Sequence, residues 1–144
     1  MAITQAMATS FKVGILDGDF DFGTGTTQTF RIALYTSAAT LSAATTAYTT
    51  SDEVIGVGYS AGGNVLVISQ VPTSTGTTAF LDFSDTTWTT ATITARGALI
   101  YLANGTTNPA VAVLDFGSDK TSTAGNFTIQ FPAADATNAI LRIA

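Results

Sequence analysis

Apolar residues along this chain follow two periods. Near the start, Ile3, Met7, Phe11 and Ile15 recur at every fourth position, the spacing of one helix face. This predicts a short amphipathic helix over residues 4–16, with Thr4 placed to cap it and Asp17-Gly18 to stop it. Gly14 weakens its last turn. Beyond residue 17 the period falls to two. Over 29–36, Phe30, Ile32 and Leu34 alternate with Arg31, Ala33 and Tyr35, as in a pleated strand.

Further strands are expected at 54–59, at 65–71 (stopped by Pro72), at 78–83, 86–94, 97–103, 110–116, 126–131 and 139–143. The Ala/Thr/Ser-rich stretch 37–50 reads as a long loop or irregular edge, and 118–125 as a loop. Ser60-Ala61-Gly62-Gly63-Asn64 is a strong turn signal. The Asn104–Pro109 run between two apolar stretches marks a hairpin. About eight short strands at this spacing, never alternating with long helices, predict a mainly β fold. It is expected to be an antiparallel β-sandwich or barrel with a short N-terminal helix. Residues 1–16 form the helical segment and 17–144 the β-sandwich domain of one compact unit.

Composition narrows the chemistry. The 144 residues include no Cys and no His, which removes disulfides, Cys/His zinc sites and His-based triads. Charged residues make up 10%, against about a quarter in ordinary domains. Five cations against ten acids give no basic patch for phosphates, so no nucleic-acid partner is expected. Thr (28) and Ala (23) take the place of charge, and β-branched Thr suits strand surfaces. Three charge-free stretches (32–51, 54–81 and 97–114) are each interrupted by polar or turn residues, so no membrane span is expected. The N-terminus lacks the basic start and apolar run of a secretory signal; a soluble protein made in a cytoplasm is expected.

Few residues are candidates for chemistry. Asp17, Asp19 and Asp21 alternate beside glycines and offer oxygens suited to a hard cation such as calcium. An EF-hand loop needs Gly at its sixth position and Glu at its twelfth, where this chain has Phe22 and Gln28. The expectation is therefore no bound metal or cofactor, with a solvated loop as the alternative to calcium. Nine of the ten acids are Asp, and no spacing singles out a hydrolytic pair. The Ser and Thr hydroxyls have only Lys12 and Lys120 as possible amine bases, and no nucleophile elbow or phosphate loop occurs. No enzymatic activity is expected. Trp88, Tyr48, Tyr59 and Tyr101 could form an aromatic platform for sugars; the alternative is that Trp88 fills the core. Arg31 and Arg96 are expected either to pair with Asp82 or Asp115 or to meet an acidic partner.

Three stretches carry a family likeness. They are Met1-Ala2-Ile3-Thr4-Gln5-Ala6-Met7-Ala8-Thr9-Ser10-Phe11-Lys12, Phe30-Arg31-Ile32-Ala33-Leu34-Tyr35-Thr36-Ser37-Ala38-Ala39-Thr40-Leu41, and the run from Phe80-Leu81-Asp82-Phe83-Ser84-Asp85 through Thr94-Ala95-Arg96-Gly97-Ala98-Leu99-Ile100-Tyr101. Together they resemble small virion structural proteins of tailed bacteriophages. The family pattern carries Cys where this chain has Ala8, and a more charged helix than Lys12-Val13-Gly14-Ile15-Leu16. The resemblance implies a capsid cement or decoration protein on the outer surface of the phage head, synthesised in the bacterial host cytoplasm. Its partners would be the major capsid protein and further copies of itself. A tail or neck component is the alternative within virions, and a carbohydrate-binding β-sandwich module the alternative of another class. Low charge fits such a role, because interface cores are depleted of charge. Met7, Phe11, Tyr48 and Arg96 are the candidate partner contacts.

Overall fold

The computed structural model describes residues 2–144. In chain order it forms β1 (Ala6–Met7), α1 (Thr9–Asp17), β2 (Phe30–Tyr35), β3 (Asn64–Val65), β4 (Ile68–Thr75), β5 (Thr78–Phe83), β6 (Thr86–Leu102), β7 (Ala110–Ile129) and β8 (Leu141–Ile143). The fold is mainly β, built of antiparallel sheets with one short helix near the N-terminus and no closed barrel. A five-stranded sheet runs β1-β7-β6-β2-β3, and a three-stranded sheet runs β4-β5-β8. The accessible surface of 7193 Å² is close to the ~7,000 Å² that size scaling gives for this mass.

Phenylalanines join the two sheets. Phe30 of β2 stacks on Phe22 at 4.3 Å, and both approach Phe83 of β5, at 6.4 and 6.3 Å. Phe131 also closes on Phe83, at 5.9 Å. β2 lies in the middle of this core: five of its six residues are buried, so both of its faces are covered.

The helix is shorter than its period predicts. Ile3 forms a bridge with Leu41, and Ala6 and Met7 pair with Val113 and Ala112 of β7. The free edge of β7 takes these residues as a strand, and its hydrogen bonds outweigh a helical spacing shared by only four side chains. The Ala8 N–H then donates to the Val111 carbonyl at 2.9 Å, and α1 starts at the next residue. It ends at the expected place: Gly18 is left-handed, with φ 82, and caps the Gly14 and Ile15 carbonyls. Gly14 leaves room for the Phe20 ring, which a Cβ there would have to displace.

Two pairs of expected strands are each continuous. Residues 86–94 and 97–103 belong to one strand, β6, while 110–116 and 126–131 belong largely to β7, which also absorbs the expected 118–125 loop. Threonines hold this ribbon together across its strands: Thr94 meets Thr121 at 2.9 Å and Thr87 meets Thr128 at 2.8 Å. Such cross-strand hydroxyl pairs stabilise a sheet. The ribbon is not straight. Opposite Arg96, β7 makes an excursion between Asp115 and Lys120, and Thr90 and Ala124 take positive φ where the pairing shifts again. Phe116 and Phe127, eleven positions apart, come within 6.4 Å; an extended run of that length spans about 36 Å, so the ribbon folds back on itself.

Pro72 does not end a strand. It lies inside β4, at a register shift between Gln70 and Thr73. β4 is the outer strand of its sheet, where a missing N–H costs no ladder bond. The expected strand at 54–59 is irregular chain with a single bridge, Val57 to Thr92. The 103–109 turn is a hairpin connection as expected. Its Asn104 Oδ1 accepts the N–H groups of Thr106, Thr107 and Asn108.

Candidate functional site

α1 has an unusual surface. One side packs inward through Phe11 and Gly14. The other carries large apolar side chains among polar Thr9, Lys12 and Asp17: Val13 is exposed and Leu16 is 89% exposed. A surface helix ordinarily presents polar residues there. Beside it opens an apolar groove of about 380 Å³, lined on the helix side by Met7, Phe11 and Ile15 and on the sheet side by Phe80, Leu141 and Ile143. Phe20 forms part of the wall, set edge-on to Phe11 at 4.8 Å. Ile143 is 51% exposed at the rim. Helix, groove and rim together bring Val13, Leu16 and Ile143 into the exposed surface.

Two of the four candidate contact residues belong to this groove, Met7 in its wall and Phe11 as its nearly buried floor. The other two do not. Arg96 pairs with Asp115 at 3.2 Å, the internal pairing that the sequence offered as one of two readings. Tyr48 stacks on Tyr101 at 4.6 Å and donates its hydroxyl to Glu53 Oε2 at 2.7 Å. Leu16, Phe80 and Ile143 were missed. Leu16 falls outside the every-fourth pattern, and the other two reach the groove only because β5 and β8 pair with each other.

Glu53 anchors a second cluster, in the interior. It is 5% exposed and accepts three hydrogen bonds, from Tyr48, from Tyr59 at 2.6 Å and from the Gly62 N–H at 2.7 Å. Tyr101 donates to the Gly62 carbonyl, Arg31 donates to the Gly62 and Gly63 carbonyls, and Tyr35 donates to the Thr49 carbonyl. The only glutamate and all four tyrosines of the chain therefore fasten the 48–63 segment onto β2 and β6. Burial, the largest cause, raises the pKa of Tyr35, Tyr48, Tyr59 and Tyr101 above the usual phenol value. Gly63 completes the closure: its φ is +70, and a Cβ there would strike the Ile32 carbonyl.

This arrangement leaves no exposed aromatic platform. Trp88 is 4% exposed and packs between Tyr59 and Phe127, while Tyr101 is buried and Tyr48 and Tyr59 are bound to Glu53.

No family model matches the chain, and neither a curated protein nor a solved structure matches it.

The acidic loop is closed by its own backbone. Asp21 Oδ1 accepts the Gly23 N–H at 2.8 Å. Gln28, at the position where an EF-hand needs its last ligand, ties the loop instead: it accepts the Asp21 N–H and donates to the Asp19 carbonyl, both at 2.8 Å. Among the described residues no three acidic side chains converge to hold a metal, so the weak calcium candidates Asp17, Asp19 and Asp21 are not brought together as a cluster. No helix among them is long and apolar enough to cross a membrane.

Proposed function

We propose that this chain is a virion structural protein of a tailed bacteriophage, a cement or decoration protein that binds the assembled head shell. The observation that carries this reading is the apolar groove beside α1, with half-exposed Ile143 in its lining and bare Leu16 on the same helix. Apolar side chains gathered on a well-packed β body mark an interaction surface. The groove takes an apolar segment of the major shell protein, and with Asp21 as the one charged residue in its lining little charge is desolvated. A second bare point, Ile55 at 96% exposure with Val57, lies on the 48–63 segment and serves contacts between neighbouring copies on the shell.

The mechanism is linkage. A protein that binds the closed shell but not its dissociated subunits shifts the equilibrium toward the shell by its binding free energy at each site. The test is copy number per particle in purified virions of the phage that encodes the chain, measured by quantitative mass spectrometry. Copies in proportion to the major shell protein support the cement reading. A few copies per particle move the chain to the tail or neck, and absence from clean particles overturns the virion reading.

A further inference from the structure

A second cavity, polar where the first is apolar, lies at the end of the five-stranded sheet that carries the 103–109 turn. It is a cleft of about 540 Å³ between that turn and the 19–29 loop, within the ~300–1,000 Å³ typical of small-molecule sites. Both walls are braced from within. Gln28 spans its own loop from Asp21 to Asp19. Opposite it, Asn104 holds three backbone N–H groups and donates to the Thr107 hydroxyl at 2.9 Å. The Ala103 N–H donates to the Thr29 carbonyl at 2.8 Å, which fixes one wall to the other. A cleft braced in this way loses little freedom when it is filled, so its contacts go into affinity.

The amides are engaged in this bracing, but other lining groups are not. Asp19, Thr27 and Thr29 line the cleft, and among the described residues no hydrogen bond engages the Asp19 carboxylate or the Thr27 and Thr29 hydroxyls. The Thr107 hydroxyl accepts from Asn104 and keeps its own proton to donate. Phe20 adds an apolar patch.

These groups select a class of ligand. No Lys or Arg lines the cleft, so a phosphate or carboxylate would meet Asp19 with no counter-charge. A single carboxylate is too few oxygens for a hard cation. A neutral polyhydroxylated ring suits every group: its hydroxyls donate to Asp19, exchange hydrogen bonds with the three threonines, and its C–H face covers Phe20. We infer that this cleft is a binding site for a neutral hexopyranose, as a free sugar unit or as one residue of a glycan. The site shares Phe20 with the groove beside α1, and it does not rest on the virion reading.

The test is titration of the ¹⁵N-labelled full chain with the methyl glycosides of glucose, galactose, mannose and N-acetylglucosamine, followed by amide chemical shifts. The expected result is saturable shifts for at least one glycoside, confined to residues 19–29 and 103–109. Asp19→Asn weakens that binding about tenfold, the loss of one charge-assisted hydrogen bond. Thr29→Val weakens it less. Both positions are exposed, and each variant's own spectrum verifies its fold. The proposal is overturned if none of the four glycosides moves these loops, if the shifts lie elsewhere on the chain, or if calcium chloride alone reproduces them.

Discussion

The Tyr59 hydroxyl donates to Glu53 Oε1 at 2.6 Å and accepts the Leu34 N–H at 2.9 Å. One side chain thereby joins the irregular 48–63 segment to the centre of a buried strand. The carboxylate at the middle of this arrangement has no cation among its hydrogen-bond partners; its donors are two phenols and a backbone N–H. Because it is buried, its cost is met only while all three donors are in place.

Glu53→Ala should therefore destabilise the fold by about 3–5 kcal/mol, because it strands two hydroxyls and an N–H at once. Tyr59→Phe should cost about 1–2 kcal/mol, since it removes one donor and leaves the Leu34 N–H unpaired. The double variant should cost clearly less than the sum, because the two side chains share one interaction. Urea unfolding of the three variants against the parent provides the measurement. Additive losses would show that Glu53 and Tyr59 act independently.

Alkaline pH should open the same network. All four tyrosines have pKa values raised by burial, so the native state holds these protons more tightly than the unfolded chain. The stability they contribute is intact below about pH 10, the ordinary phenol value, and falls as pH rises beyond it. Tyrosinate absorbance near 295 nm should appear in one step that coincides with loss of the β circular dichroism signal. A separate early tyrosinate phase, with the fold intact, would contradict the burial of the set.

The strands were legible where the chain's own apolar pattern and turn signals bounded them. Phe30, Ile32 and Leu34 fixed β2 to within a residue of its ends, and 78–83 matched β5. Legibility failed where tertiary pairing decides. Ala6 and Met7 carry no strand signal of their own and become a strand only because β7 offers them an edge. The Ser/Thr-rich stretch after Gly117 has the composition of a loop, yet its hydroxyls pair across β6. Of the groove, Met7 and Phe11 were accessible from the helical period, but the opposite wall depends on β8 lying beside β5. The Glu53 cluster draws on residues 31–101, and its only trace in the sequence is that the single glutamate lies among the tyrosines.

Asp82 sets a pH dependence of the opposite sign to the ordinary acid response. It is 3% exposed, and its carboxyl is held above the usual range, by burial first. The Phe83 and Ile140 N–H groups oppose that shift, and the Asp85 charge adds to it. A carboxyl raised in this way binds its proton more tightly in the folded state. Its contribution to stability therefore grows as pH falls through the native pKa toward the ordinary value, and is lost as pH rises. Asp82→Asn keeps an acceptor for the Phe83 N–H without the buried charge. It should raise the melting temperature at pH 7, and the gain should shrink toward pH 4. An unchanged gain across that range would place its origin in packing rather than in the proton.

Leu16 separates folding from binding. At 89% exposure its side chain supports almost nothing within the monomer, and a substitution there should change stability by no more than about 0.5 kcal/mol. In the shell-binding reading it is desolvated on the exposed side of α1, where a charge introduced opposite an apolar partner is costly. Leu16→Glu should keep the parent melting temperature and lose shell binding about tenfold or more in co-sedimentation with purified heads. Ser118→Glu, also at an exposed position and lining no part of the groove, should bind as the parent does. Equal loss in both variants would reduce the effect to net charge, and no loss in Leu16→Glu would remove the face beside α1 from the interface.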